Sequence, residues 1–249
     1  MTGWWFEDHL ADSGPDFSSN RKKLLKYDNF ITSNFITTHP STLKFLKKKK
    51  NFHYLPIPVD KNIEKLKIYE NINQINDVFF SMSHGVNRGK LKRDKQDERH
   101  NFISELISEC PNIIFDIYGY KNREPVWADD FYKVIVNSKM ALNLTRGKPL
   151  KYLTSNRIAS LIGNGLLTFI DKKTKLDNFF SNDEVVFYSG LQDLANKINF
   201  YKSNDKSRVR IAKNGRRRYF DLFECQKVAE YIVSKSFNRE TSKKLKWMD

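Results

Sequence analysis

The stretch that decides the fold is LNLTRGKPLKYLTSNRIASLIGNGLLTFID, residues 142–171. It opens in one apolar run, MALNLT, and closes in another, LLTFI; both are of strand length. Between them SNRIASLIGNG reads as a short helix, with Thr154 or Ser155 as its N-cap and Gly163 and Gly165 suited to its C-terminal end. The intervening loop and the helix start carry Arg146, Lys148, Lys151 and Arg157. In an open parallel sheet, ligands bind beyond the carboxyl ends of the strands, where loops lead into helix N-termini. The free N–H groups of such an N-terminus, with Arg146, Lys151 and Arg157 near them, make an anion site. The alternative is a capped helix surrounded by solvated cations.

Outward from this unit the same alternation continues. Strand-like runs occur as NFHYLPIPV, DVFFSMS, NIIFDIYGY and EVVFY, and helical patterns as DERHNFISELISEC, WADDFYKVIVNSK and GLQDLANKINFYKSN. Strands alternating with helices predict crossover units, and so an α/β fold with a doubly wound parallel sheet covered on both faces. Residues 76–200 read as one such domain, followed by terminal helices that the pattern expects to break near Gly215. The first seventy residues supply only one or two short strands and two helical pieces before YLPIPVD, whose Pro56 and Pro58 fix an extended linker. The expected organisation is a partial N-terminal lobe plus linker over 1–70, a main α/β lobe with terminal helices over 71–237, and a basic tail over 238–249.

The 249 residues are 39% hydrophobic and 14% aromatic, a composition that argues against disorder across the chain. With 44 Lys and Arg against 29 Asp and Glu, the formal charge is +15, which attracts phosphate-rich ligands, nucleic acid or an anionic membrane surface. Two distant cysteines, Cys110 and Cys225, suggest neither a disulfide framework nor a zinc site and suit a reducing cytoplasm. No apolar run approaches the roughly 18 residues needed to span a bilayer, and the N-terminus shows no charged leader followed by an apolar run. Contact with a membrane would therefore be peripheral, on its inner face, with the lysines at 47–50 as one means of reaching acidic headgroups.

A second candidate loop is SMSHGVNRGKLKRDKQDER, residues 81–99. Gly85 and Gly89 would let the backbone approach a phosphate, and Arg88, Arg93 and Arg99 could pair with it. His84 opens the loop, where a histidine serves either a ligand or a structural hydrogen bond. Tyr118 and Tyr120 either stack on a base or pack in the core. Asp129 and Asp130 begin a helix, where acids favour the dipole and need no metal to explain them. The spacings of a P-loop, a dinucleotide fingerprint, HExxH and GxSxG are all absent, and no module typical of a nucleic-acid reader is evident.

Taken in order, LNLTRG, YLTSNRIASLIGNGLLTFID, LDNFFSNDEVVFYSGLQDLANKINFY and RVRIAKNGRRRYFDLF resemble the C-terminal half of group 1 type glycosyltransferases of the GT-B fold, and most nearly the subset grouped with spore maturation proteins. NFITTHPSTLKFLKKKKNFHYLPIPVD is similar to the end of the N-terminal lobe and the linker of those enzymes. The resemblance implies transfer of a sugar from a nucleotide-sugar donor to a glycan, lipid or protein acceptor. The nucleotide sugar is then a substrate, with no separate cofactor, no metal and no specific nucleic-acid partner. It implies that Arg146 and Arg157 flank the donor diphosphate, that Ser155 and Asn156 start the helix facing it, and that Asn143 and Lys151 lie nearby. Many relatives carry a glutamate able to bind the donor ribose where this chain has Ser160. No catalytic base is identified. The rival readings are a nucleotide-binding lobe that works only beside a partner, and a basic protein that binds nucleic acid.

Overall fold

The computed structural model describes residues 2–5, 17–43, 51–82, 98–145, 147–241 and 246–248. The first part holds β1 (Thr2–Trp5), α1 (Phe17–Asp28), β2 (Ser33–Ile36) and β3 (Phe52–Tyr54), which form a three-stranded parallel sheet in the order β1-β2-β3. After the linker come β4 (Asn76–Ser81), α2 (Glu98–Glu109), β5 (Phe115–Tyr118), α3 (Ala128–Ile135), β6 (Ser138–Asn143), α4 (Asn156–Gly163), β7 (Leu167–Asp171) and β8 (Val186–Tyr188). These five strands build one parallel sheet in the order β5-β4-β6-β7-β8. Helices α5 (Leu191–Ser203), α6 (Asp205–Phe223) and α7 (Cys225–Ser236) follow.

Residues alternate across the interior strand β4, and each set meets its own helices. Val78 and Phe80 pack with Ile103 and Leu106 of α2 and with Leu194 and Ile198 of α5. Phe79, between them in sequence, packs with Ile135 of α3 and Leu161 of α4. Both faces are thus covered, as a doubly wound sheet requires. The first strand of this sheet in sequence lies second in space and the third lies beside it, so the winding reverses between β4 and β6. The crevice at that reversal is where open α/β sheets bind ligands.

Local chemistry sets the unit between β6 and β7. Ser155 is the N-cap of α4, its Oγ accepting the N–H of Ile158 at 3.4 Å. Gly165 takes φ 82° just past the helix end, where its N–H reaches the carbonyl of Ile162 and the N–H of Leu166 reaches that of Leu161. Thr154, the other candidate cap, instead accepts the N–H of Ile57 at 3.0 Å and so fastens the linker to the start of α4.

One expectation is corrected at Gly215. Helix α6 runs through it unbroken to Phe223, and the chain turns only at Glu224. A Cβ on Gly215 would fall 2.1 Å from the carbonyl oxygen of Glu184, so the residue serves close packing of the helix on the segment before β8.

Candidate active site

A cavity of about 290 Å3 opens at the carboxyl ends of the sheet, at the winding reversal. Its walls come from three segments: Ser81 at the end of β4, residues 126–132 leading into α3, and Asn156, Arg157 and Ser160 on the first turns of α4. None of these segments is near the others in sequence; the parallel topology alone brings them together.

Arg157 is the best-anchored charge of the site. Its Nη1 donates to the carbonyl of Ser81 at 3.0 Å and its Nη2 to that of Leu144 at 2.7 Å. Nη2 and Nε also approach Oδ1 of the buried Asn143, at 3.3 and 3.4 Å, and the guanidinium carbon lies 5.1 Å from the centroid of the Phe80 ring. One cation therefore ties the ends of β4 and β6 together. A guanidinium keeps its proton at any working pH, so positive charge is fixed in the cavity wall. The first turn of α4 adds N–H groups that the helix itself cannot satisfy, and the positive end of its dipole.

The opposite wall is aromatic. Trp127 precedes α3 and remains 61% exposed, although tryptophan is highly buried on average. Ala128 beside it sits at φ 47°, a left-handed conformation that costs a residue with a Cβ roughly 1–2 kcal/mol. Phe131 holds this wall in place, its ring set edge-on to the buried Phe79 at 5.4 Å. At the end of the edge strand β8, burial pushes the Tyr188 phenol well above the usual tyrosine range; the Asp171 charge adds to this and Arg157 opposes it. That hydroxyl is buried and has no hydrogen-bond partner among the described residues.

The residues singled out from the sequence divide into three groups. Asn143, Ser155, Asn156, Arg157 and Ser160 gather at the start of α4, and three of them line the cavity. Others stand elsewhere among the described residues. Tyr118 packs on Phe79 under the Arg123 guanidinium, and Tyr120 is buried, with its ring against His100 and its hydroxyl donating to Ser104. Lys151 lies over the Tyr152 ring while its carbonyl accepts from Thr38 and His39, and Arg99 is buried on α2. His84, Gly85, Arg88 and Arg146, with the lysines at 47–50, lie outside the described residues. Sequence reasoning missed Trp127, Phe131 and Tyr132. The available signal was a tryptophan at the start of the helix that follows β5, on the ligand-binding edge of a parallel sheet.

The fold and this cavity define a class: a doubly wound α/β protein with a cationic, aromatic crevice at its switch point. Residues 95–234 match the glycosyl transferase-like family, and the chain belongs to that family. No curated protein matches it by sequence. Among solved structures it resembles TarM, at 13% identity and a TM-score of 0.63 over 94% of this chain and 49% of that one. It also resembles Anabaena HepE in complex with UDP and glucose, at 12% identity and a TM-score of 0.61 over 95% of this chain and 69% of that one. An S. aureus TarM variant in complex with Fondaparinux, alpha-GlcNAc-glycerol and UDP gives 16% identity and a TM-score of 0.60, over 95% of this chain and 50% of that one. The chain thus spans about half the length of TarM. These likenesses establish the GT-B type of fold. Among the described residues no helix is long and apolar enough to cross a membrane, and no three His, Cys, Asp or Glu side chains are grouped to hold a metal ion.

Proposed function

We propose that the protein takes part in glycosyl transfer from a nucleoside-diphosphate sugar, and that the cavity at the start of α4 holds the nucleotide. The observation that carries this reading is the joining, at one switch point, of a helix N-terminus, a fixed guanidinium and an exposed indole. The indole offers a face for the base, and the helix start and Arg157 offer charge for the diphosphate. Charge that builds on the departing diphosphate would be met by these pre-set groups, a form of electrostatic catalysis that asks for no metal ion. The UDP bound in the HepE and TarM structures supports this choice of ligand.

The reading extends to organisation. Residues 1–70 would be the end of an acceptor-side lobe with its linker, residues 71–237 the donor lobe, and 238–249 a basic tail. Acceptors of glycan, lipid or protein type fit the reading equally, and a peripheral place on the inner membrane face suits the charge of +15. A second reading, nucleotide binding without transfer by this chain alone, is favoured by its span of about half the length of TarM; Ser160, where many relatives carry a carboxylate for the ribose, bears instead on how the nucleotide is held.

Calorimetric titration with UDP, GDP and their sugars tests the donor site. At least one should bind, with EDTA leaving the affinity unchanged. Trp127→Ala should weaken it about tenfold or more, the usual worth of stacking a base on an aromatic ring. Asn156→Glu should weaken it as well, by setting an anion beside the diphosphate. No binding by any of the nucleotides, or affinities indifferent to both substitutions, would overturn the assignment. Release of sugar to an acceptor or to water then separates transfer from binding alone.

A further inference from the structure

A second concave site shares no wall residue with the cavity above. It encloses about 300 Å3 between the outer face of α6, the start of α7, the residue that follows the linker at Lys61, and Tyr69. Five cationic side chains line it, Lys61, Lys213, Arg216, Arg217 and Lys227, against two carboxylates, Asp221 and Glu224. Lys61 and Lys227 both draw on the Glu224 carboxylate, at 3.6 and 3.7 Å. Among the described residues no carboxylate stands within ion-pair distance of Lys213, Arg216 or Arg217. These three occupy one face of α6 at spacings of three and four residues, where like charges repel.

Solvation explains exposed cations such as Lys213 and Arg217. It does not explain Arg216. That side chain is half-buried and held in a fixed pose, its Nη2 donating to the carbonyl of Glu64 at 2.9 Å and its guanidinium carbon 4.7 Å from the centroid of the Phe220 ring. Its Nε is buried with no hydrogen-bond partner among the described residues. An oriented guanidinium at the wall of a cationic cleft is the arrangement that receives an oxyanion, through the part of the fork that faces the cleft rather than through the enclosed Nε.

We propose that this cleft binds a phosphate-bearing anion, separately from the donor cavity. Its volume lies at the lower end of small-molecule sites, which suits a diphosphate or a single phosphorylated headgroup. The same chemistry is offered by a soluble phosphate and by an anionic lipid at a membrane surface. Arg216 fixes the anion, Lys213 and Arg217 supply charge at the mouth, and Phe220 and Tyr69 provide apolar walls for the group that carries the phosphate.

The test is residue-resolved. Titration of the full chain with inorganic pyrophosphate, followed by amide chemical shifts, should move resonances of residues 213–221 and of Lys61 as a group distinct from those of residues 156–160. Lys213→Glu with Arg217→Glu, both exposed and therefore compatible with the native fold, should weaken that response at least about tenfold. Arg216→Lys, which keeps the charge but loses the planar fork, should weaken it by less. Cosedimentation with phosphatidylcholine vesicles containing phosphatidylglycerol separates the two sources. If the wild type sediments and the double reversal does not, the headgroup is the ligand. If the wild type stays in solution while its pyrophosphate response is lost on reversal, the ligand is a soluble anion. No response at residues 213–221 together with no sedimentation, or responses that the reversal leaves intact, would overturn the proposal.

Discussion

Arg157 combines two properties that the sequence presents as one. Its charge was legible, because a cation at a helix start beside a strand end marks an anion site. Its role as a clamp was not, because two of its acceptors are the backbone carbonyls of Ser81 and Leu144, which leave no mark in a sequence. The clamp gives a direct prediction. Arg157→Ala deprives both carbonyls and the Asn143 side chain of a charged donor, and hydrogen bonds of that kind are worth about 1.5–3 kcal/mol each while a stranded partner costs a similar amount. Water entering the half-buried site recovers part of this, so urea unfolding should show a loss of about 2–4 kcal/mol. Arg157→Lys should lose nearly as much, since one ammonium cannot span the ends of both strands. A variant as stable as the wild type would mean that these contacts do not hold β4 to β6. The same residue shows why Trp127 was the more useful target for the ligand test: its exposed ring carries little of the fold, so its loss reports on binding.

Among the elements, those with a strong period were the legible ones. Five buried strands, the helices between them and the Ser155 cap follow from apolar patterning and capping chemistry, both local properties of the chain. Gly215 marks where local reading fails. A glycine within a helical pattern suggests a break, yet here the requirement comes from Glu184, thirty-one positions earlier and visible only once β8 is in place. Two effects of opposite sign then compete in Gly215→Ala. Alanine favours an isolated helix by about 1 kcal/mol, whereas a methyl group 2.1 Å from a carbonyl oxygen forces α6 outward, and overpacking of a filled core costs about 1–3 kcal/mol. The contacting atom belongs to backbone and cannot swing aside, so the steric effect wins. Thermal melts should show Gly215→Ala less stable than the wild type; a rise in Tm would show that the helix has room to shift.

For the whole molecule, the question is whether the three-stranded sheet unfolds with the rest. One cluster joins Phe35 of β2 and Tyr54 of β3 to Ile57 in the linker, Ile158 of α4, Tyr219 of α6 and Tyr231 of α7, so both sheets share a core. His53 lies on this seam, its ring 5.5 and 6.5 Å from those of Phe35 and Tyr231, which also touch each other at 6.0 Å. Burial, and to a lesser degree the Lys235 charge, lowers its pKa below the ordinary value of 6.5, and burial with Lys151 does the same to His39. A histidine that resists protonation only when folded contributes stability above its unfolded pKa, and that stability is lost as the pH falls from about 6.5 through the folded value. Asp60, Asp77 and Asp193 are shifted down, so they act only below about 4. Glu64, raised by burial above the ordinary carboxylate value, acts in the opposite sense, so the histidine effect must be measured as a difference. His53→Phe keeps a ring against Phe35 and Tyr231 and removes the proton. Its urea midpoint should fall less than that of the wild type between about pH 7 and pH 5.5. In both proteins tryptophan fluorescence and far-ultraviolet circular dichroism should report one coincident transition, because a shared core cannot melt in halves. Parallel pH profiles would remove His53 from the seam's energetics, and two separated transitions would show that the smaller sheet folds independently of the larger.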